Sequence, residues 1–397
     1  MMIYHCEDHT CNYWDEGEKL PERCPQCGRK LLRANEADMT GDDWTALGNT
    51  LWDAEASDKK RMVDCFRKAA YLGSAWGVCN LGICMEQGNG VEADPFQAFW
   101  LYQQAVEMGS LNAVCCLGVC YQYGIGTAPD AEKAAELYCK AAEYGSPRGQ
   151  MLLAHAFHDG IGVEADAAEA VHWVRAAAYQ RYGEGMHRLG VCYACGDGVE
   201  QNWEHAVHWF REAAESGVSA AMTDLGYCYE KGCGVEQNWQ EAVKWYEQGA
   251  QCGNLQSMHN LACCYERGEG VKQNMTEAIR WYTAAAEGGN ADDMYNLGWQ
   301  YDHGEGVEQD MKKAICWYER AAEQNYPAAM NSLGECYAMG RGVPRDLETA
   351  MEWYRRAAEL GEAMADYNMG WHLEQAGKLS EAYAHYRKAA DGNDDSA

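Results

Sequence analysis

Five residues near the amino terminus have the spacing of a metal centre: Cys6, His9 and Cys11, then Cys24 and Cys27 inside Cys24-Pro25-Gln26-Cys27-Gly28. A Cys-Pro-x-Cys-Gly turn aims two thiolates at one ion while backbone amides point at the sulfurs. The preferred ligand set is Cys6, Cys11, Cys24 and Cys27. His9 is the alternative to Cys11, because it restores a Cys-x-x-His spacing with Cys6. A closed set of four ligands with no redox partner nearby asks for a structural ion, so the expected cofactor is zinc. Such an ion supplies folding energy to a segment too short to build its own core. His5-Cys6-Glu7 followed by Cys24 and Cys27 echoes the zinc-deaminase signature, but Arg23 occupies the place of its preceding proline and the gap is short.

Catalytic motifs are otherwise missing from the sequence: there is no Gly-x-x-x-x-Gly-Lys-Ser/Thr, no His-Glu-x-x-His and no Gly-x-Ser-x-Gly. His155, His158 and Asp159, with His187 one repeat on, invite a second metal reading, but no fourth ligand is specified. The chain is expected not to be an enzyme.

The elements that carry these residues are written in a repeat of 36. Leu-Gly or Leu-Ala steps fall at Leu81, Leu117, Leu153, Leu189, Leu225, Leu261, Leu297 and Leu333, with Met369-Gly370 closing the series and Leu47-Gly48 preceding it. A fixed period of this size means stacked supersecondary units, none of which buries its apolar face alone. In the copy from Ala220, the residues Ala221, Met222, Leu225, Gly226, Cys228 and Tyr229 recur at spacings of three and four, one face of a helix. Gly232-Cys233-Gly234 breaks that helix, and Asn238 four residues later has the place of an N-cap. Ala242, Trp245, Tyr246, Gly249 and Ala250 give the second helix its face. A glycine stops most second helices in a left-handed cap; Asn325 and Arg181 take that place in two copies, and the copy at Arg181 is expected to end differently.

This pattern, A-x-x-LG-x-x-Y-x-x-G-x-GV-x-x-[DN]-x-x-x-A-x-x-WY-x-x-AA-x-x-G, resembles the Sel-1-like repeat (SLR), a branch of the tetratricopeptide (TPR) superfamily. The resemblance runs from about Asp42 to Asn393, roughly ten units. It implies an all-α fold, a right-handed α/α solenoid of helix-turn-helix repeats that scaffolds protein complexes. The first copy lacks Gly-x-Gly and the last shortens its turn to Gln375-Ala376-Gly377-Lys378, as capping repeats do. The amino-terminal segment resembles a zinc ribbon or rubredoxin-like module in its second cysteine pair, whereas Cys6 and Cys11 are spaced more widely than that family's usual pair. The expected organisation is therefore a ribbon-like knuckle over residues 1–35, the solenoid over 36–393 and a disordered tail over 394–397.

A net charge of −29 repels nucleic acid and anionic membrane and attracts basic segments of proteins. No apolar run is long enough to span a bilayer and no leader-like segment follows Met1, so the expected location is the cytoplasm. Of the 20 cysteines, Cys84, Cys120, Cys192, Cys228, Cys264 and Cys336 share one repeat position. Equivalent positions in successive layers lie about 10 Å apart, too far to bridge, so these thiols are expected to be reduced and to act as small hydrophobes.

In solenoids of the resembled type, partners sit on first-helix positions that do not form the core: two before, two after, and five to six after the Leu anchor. Those positions name Tyr227, His259, Tyr295, Trp299, Tyr367 and Trp371 as candidate partner-binding residues, flanked by carboxylates such as Glu230, Glu266, Asp302 and Glu374. Aromatic faces among carboxylates suit a protein or peptide carrying Lys or Arg. The expectation is thus a non-catalytic scaffold or regulatory adaptor. Two other readings stay open at this point: a zinc-ribbon regulator associated with nucleic acid or the transcription machinery, and a hydrolase of the secreted cysteine-rich SLR type, for which no active-site serine-lysine signature is present.

Overall fold

The computed structural model describes residues 2–6, 14–17, 31–34, 36–52 and 56–394. Two compact units make up the chain, Met1–Asn202 and Trp203–Ala397. The first opens with three short strands, β1 (Met2–Cys6), β2 (Trp14–Gly17) and β3 (Leu31–Ala34), in an antiparallel sheet of order β2-β1-β3. Ile3 lies opposite Glu16 on one side and Ala34 on the other. Its side chain is buried with Met39, Trp44, Leu47, Cys65 and Ala69, so the sheet packs on the first helix pair.

Among the described residues, every element after the sheet is a helix. The first unit continues with α1 (Gly41–Thr50), α2 (Ala56–Tyr71), α3 (Ala75–Gln87), α4 (Pro95–Glu107), α5 (Leu111–Tyr123), α6 (Ala131–Glu143), α7 (Pro147–Asp159), α8 (Ala167–Tyr179) and α9 (Gly183–Cys195). The second holds α10 (Trp203–Glu215), α11 (Ser219–Lys231), α12 (Trp239–Gln251), α13 (Leu255–Arg267), α14 (Met275–Glu287), α15 (Ala291–His303), α16 (Met311–Glu323), α17 (Pro327–Met339), α18 (Leu347–Glu359), α19 (Ala363–Gln375) and α20 (Leu379–Asp394).

Each turn residue has a distinct job. The first glycine of Gly-x-Gly ends the first helix in the left-handed conformation: Gly232 has φ +73° and its N–H donates to Cys228 O. The second approaches the preceding repeat, since a Cβ on Gly234 would stand 2.3 Å from Trp203 O. Asp94, Asp130, Asp166, Asn238, Asn274, Asp310 and Asp346 cap the second helices as expected, each accepting from amides of the first turn. The expectation for Arg181 is overturned. It adopts φ +59°, so its helix ends like the others. The N–H groups of Arg181 and Tyr182 donate to Ala178 O and Ala177 O, and these two bonds satisfy carbonyls that any other ending would orphan.

Candidate partner-binding surface

The anchor Leu-Gly step makes room for an aromatic ring. Tyr246 of α12 is buried against Gly226 of α11, and Tyr318 of α16 against Gly298 of α15; a Cβ on either glycine would lie about 2.5–2.6 Å from the ring. The hydroxyl then donates to a carboxylate five residues past the anchor, in a part-buried or buried bond. Tyr246 reaches Glu230 at 2.8 Å, Tyr282 reaches Glu266 at 2.8 Å and Tyr318 reaches Asp302 at 3.5 Å. Burial, reinforced by the neighbouring carboxylate, pushes the phenols of Tyr246 and Tyr318 well above their ordinary range, so they stay protonated donors. Glu230, Glu266 and Asp302, read from the sequence as flanks of a binding surface, are engaged in holding each helix pair together. Glu374 does the same for Tyr386 of α20, at 2.7 Å.

The six candidate aromatics divide. Trp299 is 37% exposed, Trp371 42%, Tyr227 44% and Tyr367 50%. His303 stacks on the Trp299 ring at 4.3 Å, with its Nδ1 2.9 Å from Trp299 O; the Lys231 ammonium lies over Tyr227 at 5.9 Å. His259 and Tyr295 are drawn into the packing between layers instead. Nδ1 of His259 meets the buried Asp293 carboxylate at 2.7 Å, and Nε2 meets Cys263 Sγ at 3.6 Å. The Tyr295 ring packs on Tyr318 at 5.8 Å and Tyr326 at 5.4 Å. The Asp293 bond, then the Cys263 bond, raise the His259 imidazole to about 10 against the effect of burial. Burial also raises the Asp293 carboxyl. Both directions say that the pair keeps its proton.

Three tryptophans of second helices in this unit are treated differently. Guanidinium groups cover Trp281 (Arg280, 4.7 Å), Trp317 (Arg320, 4.3 Å) and Trp353 (Arg356, 4.5 Å), and all three rings are half-buried. A pocket of about 540 Å³ opens beside Tyr367, lined by Met364, Ala363, Tyr386, Ala389 and Ala390. Sequence reasoning missed it, because Tyr386 and Ala389 occupy repeat positions that are core in every earlier copy.

Among the candidate metal ligands, Cys6 ends β1, paired in register with Leu31, while His9, Cys11, Cys24 and Cys27 lie outside the described residues. Among the described residues, no group of three or more His, Cys, Asp or Glu is placed to hold a metal ion. His158 is instead taken up by carboxylates, with Nδ1 at 2.5 Å from Asp159 and Nε2 at 3.3 Å from Asp197. The six cysteines of the shared repeat position are all buried, and burial raises the thiols of Cys84 and Cys336 to about 11 and of Cys120, Cys228 and Cys264 to about 12. No helix among the described residues is long and apolar enough to cross a membrane.

Stacked helix pairs with a fixed core and a variable first-helix surface define a helical repeat protein. The Sel1 repeat model matches nine times, over residues 77–110, 113–146, 147–182, 183–218, 219–254, 255–290, 291–326, 327–362 and 363–394, and the chain belongs to that family. It is similar to a protective antigen of uropathogenic Escherichia coli that displays an SLR fold, with TM-score 0.63 and 34% identity, covering 83% of this chain and 71% of that one. A Sel1 repeat protein from Oxalobacter formigenes aligns with TM-score 0.61 and 27% identity over 86% of this chain and 95% of its own. None of the curated proteins matches. Sel1 repeat proteins typically act as protein-interaction scaffolds and generally bind proteins, and their fold is generally non-catalytic.

Proposed function

We propose that this chain is a non-catalytic adaptor whose second unit takes a partner peptide carrying Lys or Arg on the first-helix aromatics Tyr227, Trp299, Tyr367 and Trp371. One contrast carries the reading. Trp281, Trp317 and Trp353 of three second helices in this unit are already covered by arginines of the chain itself, whereas Trp299 and Trp371 on first helices stand 37% and 42% exposed. A guanidinium or ammonium over an exposed indole is worth about 0.5–1 kcal/mol, rising as water is excluded. The chain's own net charge of −29 steers such a partner in. A basic-peptide array probed with the intact protein tests this. Binding should fall about ten-fold or more in Trp299→Ala/Trp371→Ala and persist in Trp281→Ala/Trp317→Ala. Equal binding by the two double variants, or a preference for acidic peptides, would sink it.

The amino-terminal segment we take to hold one structural zinc through Cys6, Cys11, Cys24 and Cys27, with His9 as the alternative to Cys11. Thiolate donors suit zinc, and the β1–β3 register sets Cys6 opposite Leu31, four residues after Cys27 in the chain. The ion's contribution there is folding energy, not chemistry.

A further inference from the structure

Four residues from α3, α5 and α7, two of them cysteines, share one polar network inside the first unit. Nη1 of Arg148 donates to Cys116 Sγ at 3.5 Å and to Asn112 Oδ1 at 2.7 Å, and Nδ2 of Asn112 donates to Cys79 Sγ at 3.6 Å. Both thiols thus meet one Asn112–Arg148 pair, and they lie close enough for each to act on the other's proton. Nothing about the repeat requires this. Cys79, Cys116 and Arg148 do not share one repeat position, and where an arginine acts on a buried cysteine of the shared position, as Arg188 on Cys192 and Arg341 on Cys336, burial still raises that thiol.

We propose that Cys79 and Cys116 form an oxidant-responsive dithiol that closes to a disulfide between two consecutive first helices, α3 and α5. The division of labour follows from the surroundings. Cys116, 4% exposed and touching the guanidinium, is the attacking group; Cys79, fully buried behind it, is the resolving one. The Cys79 thiol, then the charge and contact of Arg148, hold the Cys116 thiol below its ordinary range against burial and the nearby Glu86 carboxylate. Cys79 is pushed far up, and burial raises the adjacent Cys115, whose partner is Ser146 at 3.8 Å. With a hydroperoxide as oxidant, the Cys116 thiolate attacks the terminal oxygen, the O–O bond breaks, and the alkoxide or hydroxide leaves and takes up a proton. Cys79 sulfur then attacks the resulting sulfenic sulfur, the S–O bond breaks, and water departs with the Cys79 proton. The two thiols have lost two electrons to the peroxide, giving one disulfide and, for hydrogen peroxide, two waters. The bond ties neighbouring repeats together, unlike a bridge inside one repeat. This inference stands apart from the adaptor reading, since it concerns the first unit alone.

The test uses the reduced full-length protein, hydrogen peroxide at pH 7, alkylation of remaining thiols and peptide mass spectrometry. A cross-linked peptide joining Cys79 to Cys116, reversed by dithiothreitol, is expected. Cys79→Ser should leave Cys116 as a sulfenic acid captured by dimedone. Arg148→Gln should slow loss of the Cys116 thiol about ten-fold, the smaller thiolate fraction being partly offset by greater nucleophilicity, while Arg148→Lys keeps most of the rate. Unfolding curves for each variant separate a slowed reaction from a lost fold. Oxidation of the exposed Cys195, Cys252 and Cys316 with Cys79 and Cys116 still alkylatable, or an unchanged rate in folded Arg148→Gln, would overturn the proposal.

Discussion

Replacing Gly226 by alanine sets two effects of known sign against each other. A helix interior favours alanine over glycine by about 1 kcal/mol. The new methyl, however, would lie 2.5 Å from Cε1, 2.7 Å from Cδ1 and 3.1 Å from Cζ of Tyr246. That ring is fully buried and its hydroxyl is tied to Glu230 at 2.8 Å, so it cannot swing aside without losing the bond; α11 and α12 must separate. Overpacking of this kind costs about 1–3 kcal/mol. Alanine already stands at the equivalent Ala262, opposite Tyr282, so a helix pair can open to take the methyl, and the cost belongs in the lower half of that range. Net destabilisation of about 0.5 kcal/mol is expected. The chain also holds its own compensated version: Ala154 and Val174 stand where Gly226 and Tyr246 do, and they line one small cavity together. Tyr246→Val alone should cost about 2–4 kcal/mol as a large-to-small change, but Gly226→Ala/Tyr246→Val should cost less than the sum by about 1 kcal/mol. Urea unfolding of the full chain followed by far-UV circular dichroism measures all four corners of the cycle. A Gly226→Ala variant more stable than the parent, or additive single costs, would refute the claim that ring clearance fixes glycine at the anchor.

Three further outcomes follow from the same structure. Arg181→Gly should raise stability by about 0.5 kcal/mol in the same assay, because relief of the left-handed backbone (~1–2 kcal/mol) exceeds the entropy that glycine adds to the unfolded chain; a loss would mean that the Arg181 side chain matters more than its backbone. The His259–Asp293 pair, flanked by Cys263 and Asp292, binds protons more tightly folded than unfolded. The His259 contribution is therefore full below about pH 6.5 and declines as pH rises towards 10; that part of the decline should vanish in His259→Gln, and a stability profile unchanged by the substitution would contradict it. For the zinc centre, metal analysis should find one zinc per chain, absent from Cys24→Ser/Cys27→Ser, with the helical signal retained because the repeats have their own core; zinc retained by that variant would reassign the ligands.

Much of the fold could be read directly. The 36-residue register places Asn238 at a cap, Gly232 at a left-handed stop and Tyr246 in the core, and each is there because a local rule and the packing agree. The register failed at Arg181, where propensity alone decided the expectation. Two hydrogen bonds and a following helix that must start in place outweigh the backbone strain of a single residue. The three-stranded sheet was not legible at all, since strands of four or five residues carry too short a pattern to stand out.

The candidate surface was half legible, and the internal repeats explain which half. Counting from the anchor identifies positions off the core, but it does not tell an outward side chain from one bonded within its own pair. Glu230 and Trp299 fail and pass this test for the same reason, which is what the other copies carry. Glu230, Glu266 and Asp302 each occur with a tyrosine 16 residues later, whereas His158 is followed by Val174 and Ala194 by Phe210, neither of which has a hydroxyl to satisfy. That pairing of residue types marks an intramolecular bond before any coordinate is seen. The row two past the anchor shows no such coupling: Ile83, Val119, His155, Val191, Tyr227, Cys263, Trp299, Glu335 and Trp371 share neither size nor polarity. A helix pair that needs only the Leu-Gly step, the capped turn and the buried ring to form sets no common residue type in this row, although Cys263 and Glu335 bond within the fold. Where such a row carries an exposed tryptophan, burial against a partner gives that side chain a use that packing within the chain does not.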